Sequence, residues 1–567
     1  MLRTIRKATQ LFQTEGIAGL YRQAQHKVEY VRRNRAYQEW IARYEDPHDR
    51  DRKRIEDEIE AFHIKPVISV LMPVYDVEEK WLRLAIESVL AQSYPCWEFC
   101  IADDHSPSAH IRKVLDEYAS RDDRIKVIYR HENGHISAAS NSALELVTGE
   151  FTALLDHDDE FSPHALFFVA REINEFPQVA MIYSDEDKID PRGRRTAPSF
   201  KPDWSPELFY SLNMITHLSV YRTSALRSVG GFRVGLEGSQ DYDLGLRVSE
   251  GLEPGKIRHI PRILYHWRSI PGSVALDSSQ KTYAHDRARK SISEHFERSG
   301  IAAKVSRGYR ELHRATYVLP DPPPKVSLII VGKGRKDGAE RIRANTAYTN
   351  LEIIETEEET TASEIDFGSL NEASKKATGS LLCFIGTDSV VRDERWLDEL
   401  VGIAVQKNIG AVGPRIVYPN RTIKSAGLIA GIGEGMGRAH HGISKYRLGN
   451  FYRLQAVNDV SSLPADCLVI ASDLFRSVRG FEAETFPKEY ADVDLCFRLL
   501  KQGCRNVWTP WSEVIQSTER KFPRSLELDT LKRRWPEYFE CDPYYNPNLT
   551  DRAEDLSLAF PPRVPRT

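Results

Sequence analysis

Residues 68–104 read ISVLMPVYDVEEKWLRLAIESVLAQSYPCWEFCIADD, and this stretch decides the fold. ISVLMPV is an apolar run of the length a buried strand needs. EEKWLRLAIESVLAQ spaces its apolar residues at helical intervals, and WEFCIAD is a second strand-like run. The alternation continues with RIKVIYR (124–130), a helical HISAASNSALELVTGE (135–150) and a buried run FTALLD (151–156). Strands alternating with helices predict right-handed crossovers and an open, mostly parallel α/β sheet with helices on both faces. Ligands of such sheets bind beyond the carboxyl ends of the strands. Asp103 and Asp104 after WEFCIA, and Asp156 after FTALL, stand there.

The pattern then restarts. LPDPPPK (319–325) is proline-rich, stiff and non-helical, as a linker should be. After it VSLII (326–330) matches ISVLM (68–72), and NEASKKATG (371–379) matches NSALELVTG (141–149). SLLCFIGTDSV (380–390) matches EFTALLDHDDE (150–160), and RGFEAETFPKEYADVDLCFR matches GGFRVGLEGSQDYDLGLR. The expected organisation is a tandem duplication: an arm at 1–60, a first unit at 61–320, a second at 321–520, and a tail to 567 with the loop-like segments DPYYNPNL and FPPRVPRT.

Composition narrows the function classes. At 567 residues the length favours two to four domains. Lys and Arg number 78 against 82 Asp and Glu, a formal charge of −4, which leaves no bulk field for a nucleic-acid partner. Seven cysteines without a pairing pattern read as reduced core residues. No apolar run is long enough to span a bilayer and no secretory leader is evident, which predicts a cytoplasmic location. Within residues 1–35, Arg3, Arg6, Lys7, Arg22, Lys27, Arg32, Arg33 and Arg35 are set against only Glu15 and Glu29. Two readings stand: basic amphipathic helices lying peripherally on the cytoplasmic face of an anionic inner membrane, or a helical arm packed on the body.

Asp156, Asp158 and Asp159 in DHDDE crowd like charges at a strand end, which a divalent cation would offset. Hard oxygen ligands suit Mg²⁺ or Mn²⁺ with positions left for phosphates. The alternative is a solvated acidic turn before a helix.

The first unit resembles a family 2 glycosyltransferase of the GT-A, nucleotide-diphospho-sugar transferase fold. The resemblance lies in PVYD, ADDHS, NGHISAASNSALELVTGE, LLDHDDEFSPHAL, EGSQDYDLGLR and LYHWR in that order. It implies two tandem GT-A units, the second possibly degenerate, of the kind that transfers sugars in O-antigen or other surface polysaccharide synthesis. By the resemblance, Pro73, Tyr75 and Asp104 line the base and ribose pocket, with Asn133, Gly134 and Asn141 near the same nucleotide. Asp156 and Asp158 are the DxD-type pair, Asp158 the better metal ligand, and the metal bridges the diphosphate of a UDP-, dTDP- or GDP-linked sugar. Asp241 takes the position of the base that deprotonates the acceptor, with a helix N-cap role as the alternative. His266 takes that of a late metal- or phosphate-contacting histidine, with His217 or a core role competing. The family is inverting, so displacement is direct. Glu186, Asp187 and Trp204 are candidates for the acceptor cleft, or structural residues.

In the second half, Gly386, Thr387, Asp388 and Ser389 align with Asp156 to Asp159, and PVYD is replaced by VGKG. Asp388, Asp492 and His440 are the surviving candidates. A weakened or silent unit is expected, with a bifunctional enzyme and a non-catalytic glycan-assembly scaffold as rivals. A nucleotidyltransferase would want a glycine-rich phosphate loop where PVYDVEEKW has none. The glycines at 427, 431, 433, 435 and 437 read as a flexible loop.

Overall fold

The computed structural model describes residues 28, 30–45, 52–270, 282–331, 338–356 and 365–564. Nine strands build the first sheet: β1 (Ile68–Val74), β2 (Trp97–Asp103), β3 (Ile125–Tyr129), β4 (Phe151–Leu154), β5 (Glu160–Phe161), β6 (Met181–Ile189), β7 (Arg195–Ser199), β8 (Ser219–Arg222) and β9 (Ile257–Arg268). Their order is β3-β2-β1-β4-β8-β6-β9-β5, with β7 on β6. β3, β2, β1 and β4 pair in parallel. β1 and β2 are buried along their whole length, which is why they read as continuous apolar runs. β8 runs antiparallel to both β4 and β6, so the sheet is mixed where the alternation predicts a mostly parallel one. The path from β6 to β8 runs through β7 and the short helix Pro206–Ser211.

Among the described residues the second sheet repeats the order without a counterpart of β3. Its strands run Leu351–Glu355, Val326–Val331, Leu381–Gly386, Cys467–Ala471, Ile409–Val417, Arg505–Ile515, Val390–Val391. Polar fixtures recur with it. Glu98 accepts from Ser69 Oγ at 2.6 Å and Thr148 Oγ1 at 2.6 Å. Glu352 accepts from Thr378 Oγ1 at 2.7 Å and from Ser327 Oγ. Arg247 and Arg498 each bridge a helix carboxylate, Asp243 or Asp494, at 2.8 and 2.7 Å.

The two units share one core. A single hydrophobic cluster joins Leu208, Phe209 and Phe296 of the first to Leu397, Leu400, Val401 and Val507 of the second. Within the same contact, Arg505 pairs with Glu207 at 3.2 Å and Asp459 at 2.8 Å, and Ser205 Oγ donates to Asp459 at 2.5 Å.

The arm and the tail both pack on this body. Over residues 30–44 the arm is one helix whose Tyr37 and Trp40 are buried and whose Ile41 and Tyr44 are half-buried. The i, i+3, i+4, i+7 spacing puts all four on one face, against Phe200 and Ile263. Over this stretch the packed reading of the arm holds; residues 1–27 lie outside the described ones. The tail forms helices Leu526–Arg534 and Pro536–Glu540, and then DPYYNPNL buries Tyr545, Asn546, Asn548 and Leu549. Asn546 Nδ2 donates to both oxygens of Asp185, at 3.1 and 2.9 Å, so the chain end closes onto β6. The glycine-rich stretch is a hairpin, Leu428–Ala430 with Met436–Arg438, rather than a loose loop. Gly431 turns it at φ +89°, and an added Cβ there would stand 3.0 Å from the Phe539 carbonyl oxygen.

Under the tail, His259 lies between Asp185 (3.0 Å) and Asp203 (3.1 Å). Burial opposes its charge, but the two carboxylates override this and lift its pKa to about 9. A raised folded pKa gives stability that is complete below the unfolded value of about 6.5 and is lost as pH rises toward 9. The thermal midpoint is therefore expected to fall between pH 6.5 and 9, and His259→Gln is expected to flatten that slope in calorimetric scans. All seven cysteines are free thiols. Among the described residues no helix is long and apolar enough to cross a membrane.

Candidate active site

The carboxyl edge of the first sheet opens on a cleft with about 480 Å³ of empty space, its open mouth included. Pro73 at the end of β1, Asp156 after β4, Thr216 and His217 before β8, and Asp241 all line it. Asp241 lies in the first turn of the helix Gln240–Ser249, where the helix dipole favours a carboxylate. Asn213 Nδ2 donates to its Oδ2 at 2.9 Å. Burial pushes the Asp241 pKa up; His217 opposes that and Asp156 adds to it.

The acidic turn is held from behind. Asp159 accepts from Tyr265 OH and from the Arg268 backbone N–H, both at 2.7 Å, and Arg268 Nε donates to the Asp158 carbonyl at 2.8 Å. Burial raises Asp158, with Asp156 adding and His157 opposing. Burial and then the charges of Asp158 and Asp156 raise Asp159. Carboxylates so shifted mark a site short of positive charge, and their oxygens fit a hard divalent cation. Asp156, Asp159 and His217 have ligand atoms within 4.8 Å of one another; Asp158 and His266 are not in that group.

His217 is reached by geometry more than by motif. Its Nδ1 lies 3.1 Å from Glu186 and its Nε2 3.9 Å from Asp156, and its ring stacks on Tyr265 at 4.5 Å. Lys201, buried, donates to the carbonyls of Thr216 (2.5 Å) and His217 (2.7 Å) and so holds this wall. Asn213 and Lys201 belong to no motif; the only signal for Lys201 is its place in FKPDW.

Other sequence candidates sit elsewhere. Tyr75 is exposed. Asp104 is buried, its carboxylate taken by Arg130 Nε at 2.7 Å and the Gly134 N–H at 3.0 Å. Asn133 Nδ2 donates to the Asp104 carbonyl at 3.3 Å, so the loops after β2 and β3 are tied together. Asn141 exchanges two hydrogen bonds with the Phe232 backbone, at 2.8 and 2.9 Å, and Asn371 does the same with Phe481 at 2.8 and 3.0 Å. The Asn141 amide is thus part of a clamp that recurs in both units. His266 turns its Nδ1 to Asp187, 2.6 Å away. Trp204 packs on Phe209 with ring centroids 5.1 Å apart, away from the cleft and in the shared core.

The profile described as Glycosyl transferase family 2 matches residues 69–230. WcaA of Escherichia coli K12, named for colanic acid biosynthesis and glycosyl transfer, is 32% identical over 228 residues, 39% of this chain and 78% of WcaA. The chain belongs to glycosyl transferase family 2. Longer relatives match along nearly all of it. RfbC of Myxococcus xanthus, an O-antigen biosynthesis protein, is 33% identical over 87% of this chain and 41% of itself. Protein y4gI of Sinorhizobium fredii is 35% identical over 90% of the chain and 60% of itself. The chain thus spans less than two thirds of either relative.

In this family member the second unit keeps the frame of the site but not its opening. Asp492, in the first turn of Ala491–Lys501 as Asp241 is in its own helix, has no exposed surface. It accepts from the Ala465 N–H at 2.8 Å and from both terminal nitrogens of Arg520, one of them at 3.0 Å. Strand register puts Asp466 where the first unit has His217, and buried Lys424 bonds it at 2.7 Å. Asp388 accepts two backbone N–H groups, from Ser517 at 3.2 Å and Thr518 at 2.9 Å. His440 is buried, its Nε2 accepting from the Asn450 N–H at 3.2 Å, and burial pushes its pKa down to about 3. Side-chain cations and backbone donors thus surround the second unit's carboxylates.

Proposed function

We propose that the first unit transfers a sugar, with inversion, from a UDP-, dTDP- or GDP-linked donor to a hydroxyl of a glycan or lipid-linked glycan. The setting is surface polysaccharide synthesis at the cytoplasmic face of the membrane. The second unit is silent in catalysis. The observation that carries this reading is the convergence of Pro73, Asp156, His217 and Asp241 on one cleft at the carboxyl edge of the sheet. The names of RfbC and WcaA support the polysaccharide setting.

An alcohol is a weak nucleophile at neutral pH, so a base must take its proton as it attacks. Asp241 is that base, its carboxylate oriented by Asn213. The acceptor oxygen bonds to the anomeric carbon, the bond from that carbon to the diphosphate oxygen breaks, and the proton ends on Asp241. Pro73 and Tyr75, with the Asp104, Asn133 and Gly134 loop, flank the nucleoside side. Asp156, grouped with Asp159 and His217, with Asp158 on the same turn and His266 as the further candidates, would hold Mg²⁺ or Mn²⁺, which when bound neutralises charge on the departing diphosphate.

Calorimetry of the full chain with UDP, dTDP and GDP tests this. One of the three is expected to bind in a Mn²⁺-dependent manner, and Asp158→Ala is expected to abolish the dependence. Absence of binding across the series would sink the proposal. A glycan-assembly scaffold predicts that Asp158→Ala and Asp241→Ala both keep the cellular function. A bifunctional enzyme is disfavoured by the closure of Asp492 on Arg520.

A further inference from the structure

Where β6 and β9 pair, Asp187 stands opposite His266. Asp187 has no exposed surface. One of its oxygens faces His266 Nδ1 at 2.6 Å. The other accepts from Tyr37 OH at 2.6 Å and Arg195 Nε at 2.5 Å. Arg195 also donates to Tyr37 OH at 2.8 Å and to Glu45 Oε1 at 3.1 Å. Tyr37 and Glu45 belong to the arm, 150 residues from their partners Asp187 and Arg195. Tyr37 and Arg195 both donate to one oxygen of Asp187, which leaves the other oxygen to accept from the His266 ring. The proton between Asp187 and His266 therefore sits on Nδ1, which leaves Nε2 as the ring nitrogen free for other work.

The duplication supplies an internal control. In the second unit the same register pairs Val417 with Ile515, and Ile515 pairs with Val390 as His266 pairs with Glu160. The sheet therefore folds with an apolar pair at this point. A buried charged cluster costs desolvation that an apolar pair does not. It is present in the unit whose Asp241 lines an open cleft and absent from the unit whose Asp492 is closed by Arg520.

We propose that Tyr37 is a positioning residue that acts through Asp187 to fix the tautomer and orientation of His266, making the arm part of the donor site. This rests on the reading of His266 as a metal- or phosphate-contacting group. Support from behind a ligand of this kind is worth about 10- to 100-fold in affinity or activity.

The test uses the full chain and Tyr37→Phe, which keeps the ring and removes the hydroxyl. Histidine ¹⁵N resonances are recorded without metal, with His266→Gln assigning the His266 signals. Nucleoside diphosphate release is measured with Mn²⁺ and a panel of UDP-, dTDP- and GDP-sugars. In the wild type, His266 is expected as the single tautomer with the proton on Nδ1. Tyr37→Phe is expected to mix the tautomers and slow release about 10- to 100-fold with little change in melting temperature. The double variant Tyr37→Phe/His266→Gln should be no slower than His266→Gln alone. Asn34→Ala, which loosens the arm at its bond to the Ala197 N–H, should leave the His266 signals unchanged. Unchanged His266 signals in Tyr37→Phe, or an equal slowing on top of His266→Gln, would overturn the proposal. Wild-type release by His266→Gln would instead overturn the role of His266 on which it rests.

Discussion

Asp241→Asn is expected to slow sugar transfer by about 10²- to 10⁴-fold, the usual contribution of a positioned general base. The fold should not suffer. Burial raises the Asp241 pKa against the opposing charge of His217. A carboxylate whose folded pKa lies above its unfolded one stabilises the fold only at pH below the unfolded value. At neutral pH it works against folding. The neutral asparagine keeps the shape and the bond to Asn213, so the melting temperature at pH 7 should be unchanged or higher. The same shift sets the acid limb of the wild-type rate profile. Transfer should be lost as pH falls through a pKa above the ordinary carboxylate range, because only the ionised form accepts the proton. Initial rates from pH 4 to 8, paired with thermal melts, check both statements. Wild-type rates in Asp241→Asn would remove Asp241 from the base role.

At the matching position of the second unit the expected phenotype is reversed. Arg520→Met is expected to cost about 3–5 kcal/mol of stability, because it strands a buried carboxylate without its partner. Arg520 is 5% exposed and Asp492 not at all, and the guanidinium makes two bonds to it. Transfer per folded molecule should be unchanged. Urea unfolding, with rates normalised to the folded fraction, separates the two effects. A loss of transfer at undiminished stability would show that the second unit takes part in the chemistry. The contrast between Asp241 and Asp492 makes the duplication informative: the same residue at the same helix turn lines an open cleft in one setting and is half of an ion pair in the other.

How much of this was legible beforehand depended on the range of the interaction. β1, β2 and β4 are short runs whose neighbours in sequence are buried together, so their apolar pattern is local and readable. The repeat is readable for the same reason, and with it the alignment of Asp156 to Asp159 with Gly386 to Ser389. Asp156 could be placed at a strand end from the local pattern, and Asp241 could be named from the motif EGSQDYDLGLR that carries the family resemblance. The direction of β8 was not legible, since pairing sense depends on the path between strands. Asn141 shows the opposite limit. Its motif pointed to the nucleotide, but its amide meets a backbone 91 residues away.

By itself the sequence determined the kind of protein this is: two α/β units, one with a full set of carboxylates at its strand ends and one without. Tertiary structure alone decided the state of each carboxylate. Lys424 and Arg520 belong to no motif, yet they neutralise Asp466 and Asp492 from 42 and 28 residues away. Tyr37 reaches Asp187 across 150 residues, and the tail reaches Asp185 across 361. Periodicity records which side of an element is buried. It does not record which charge lies opposite once burial has stripped the water, and that pairing sets whether an aspartate can take a proton.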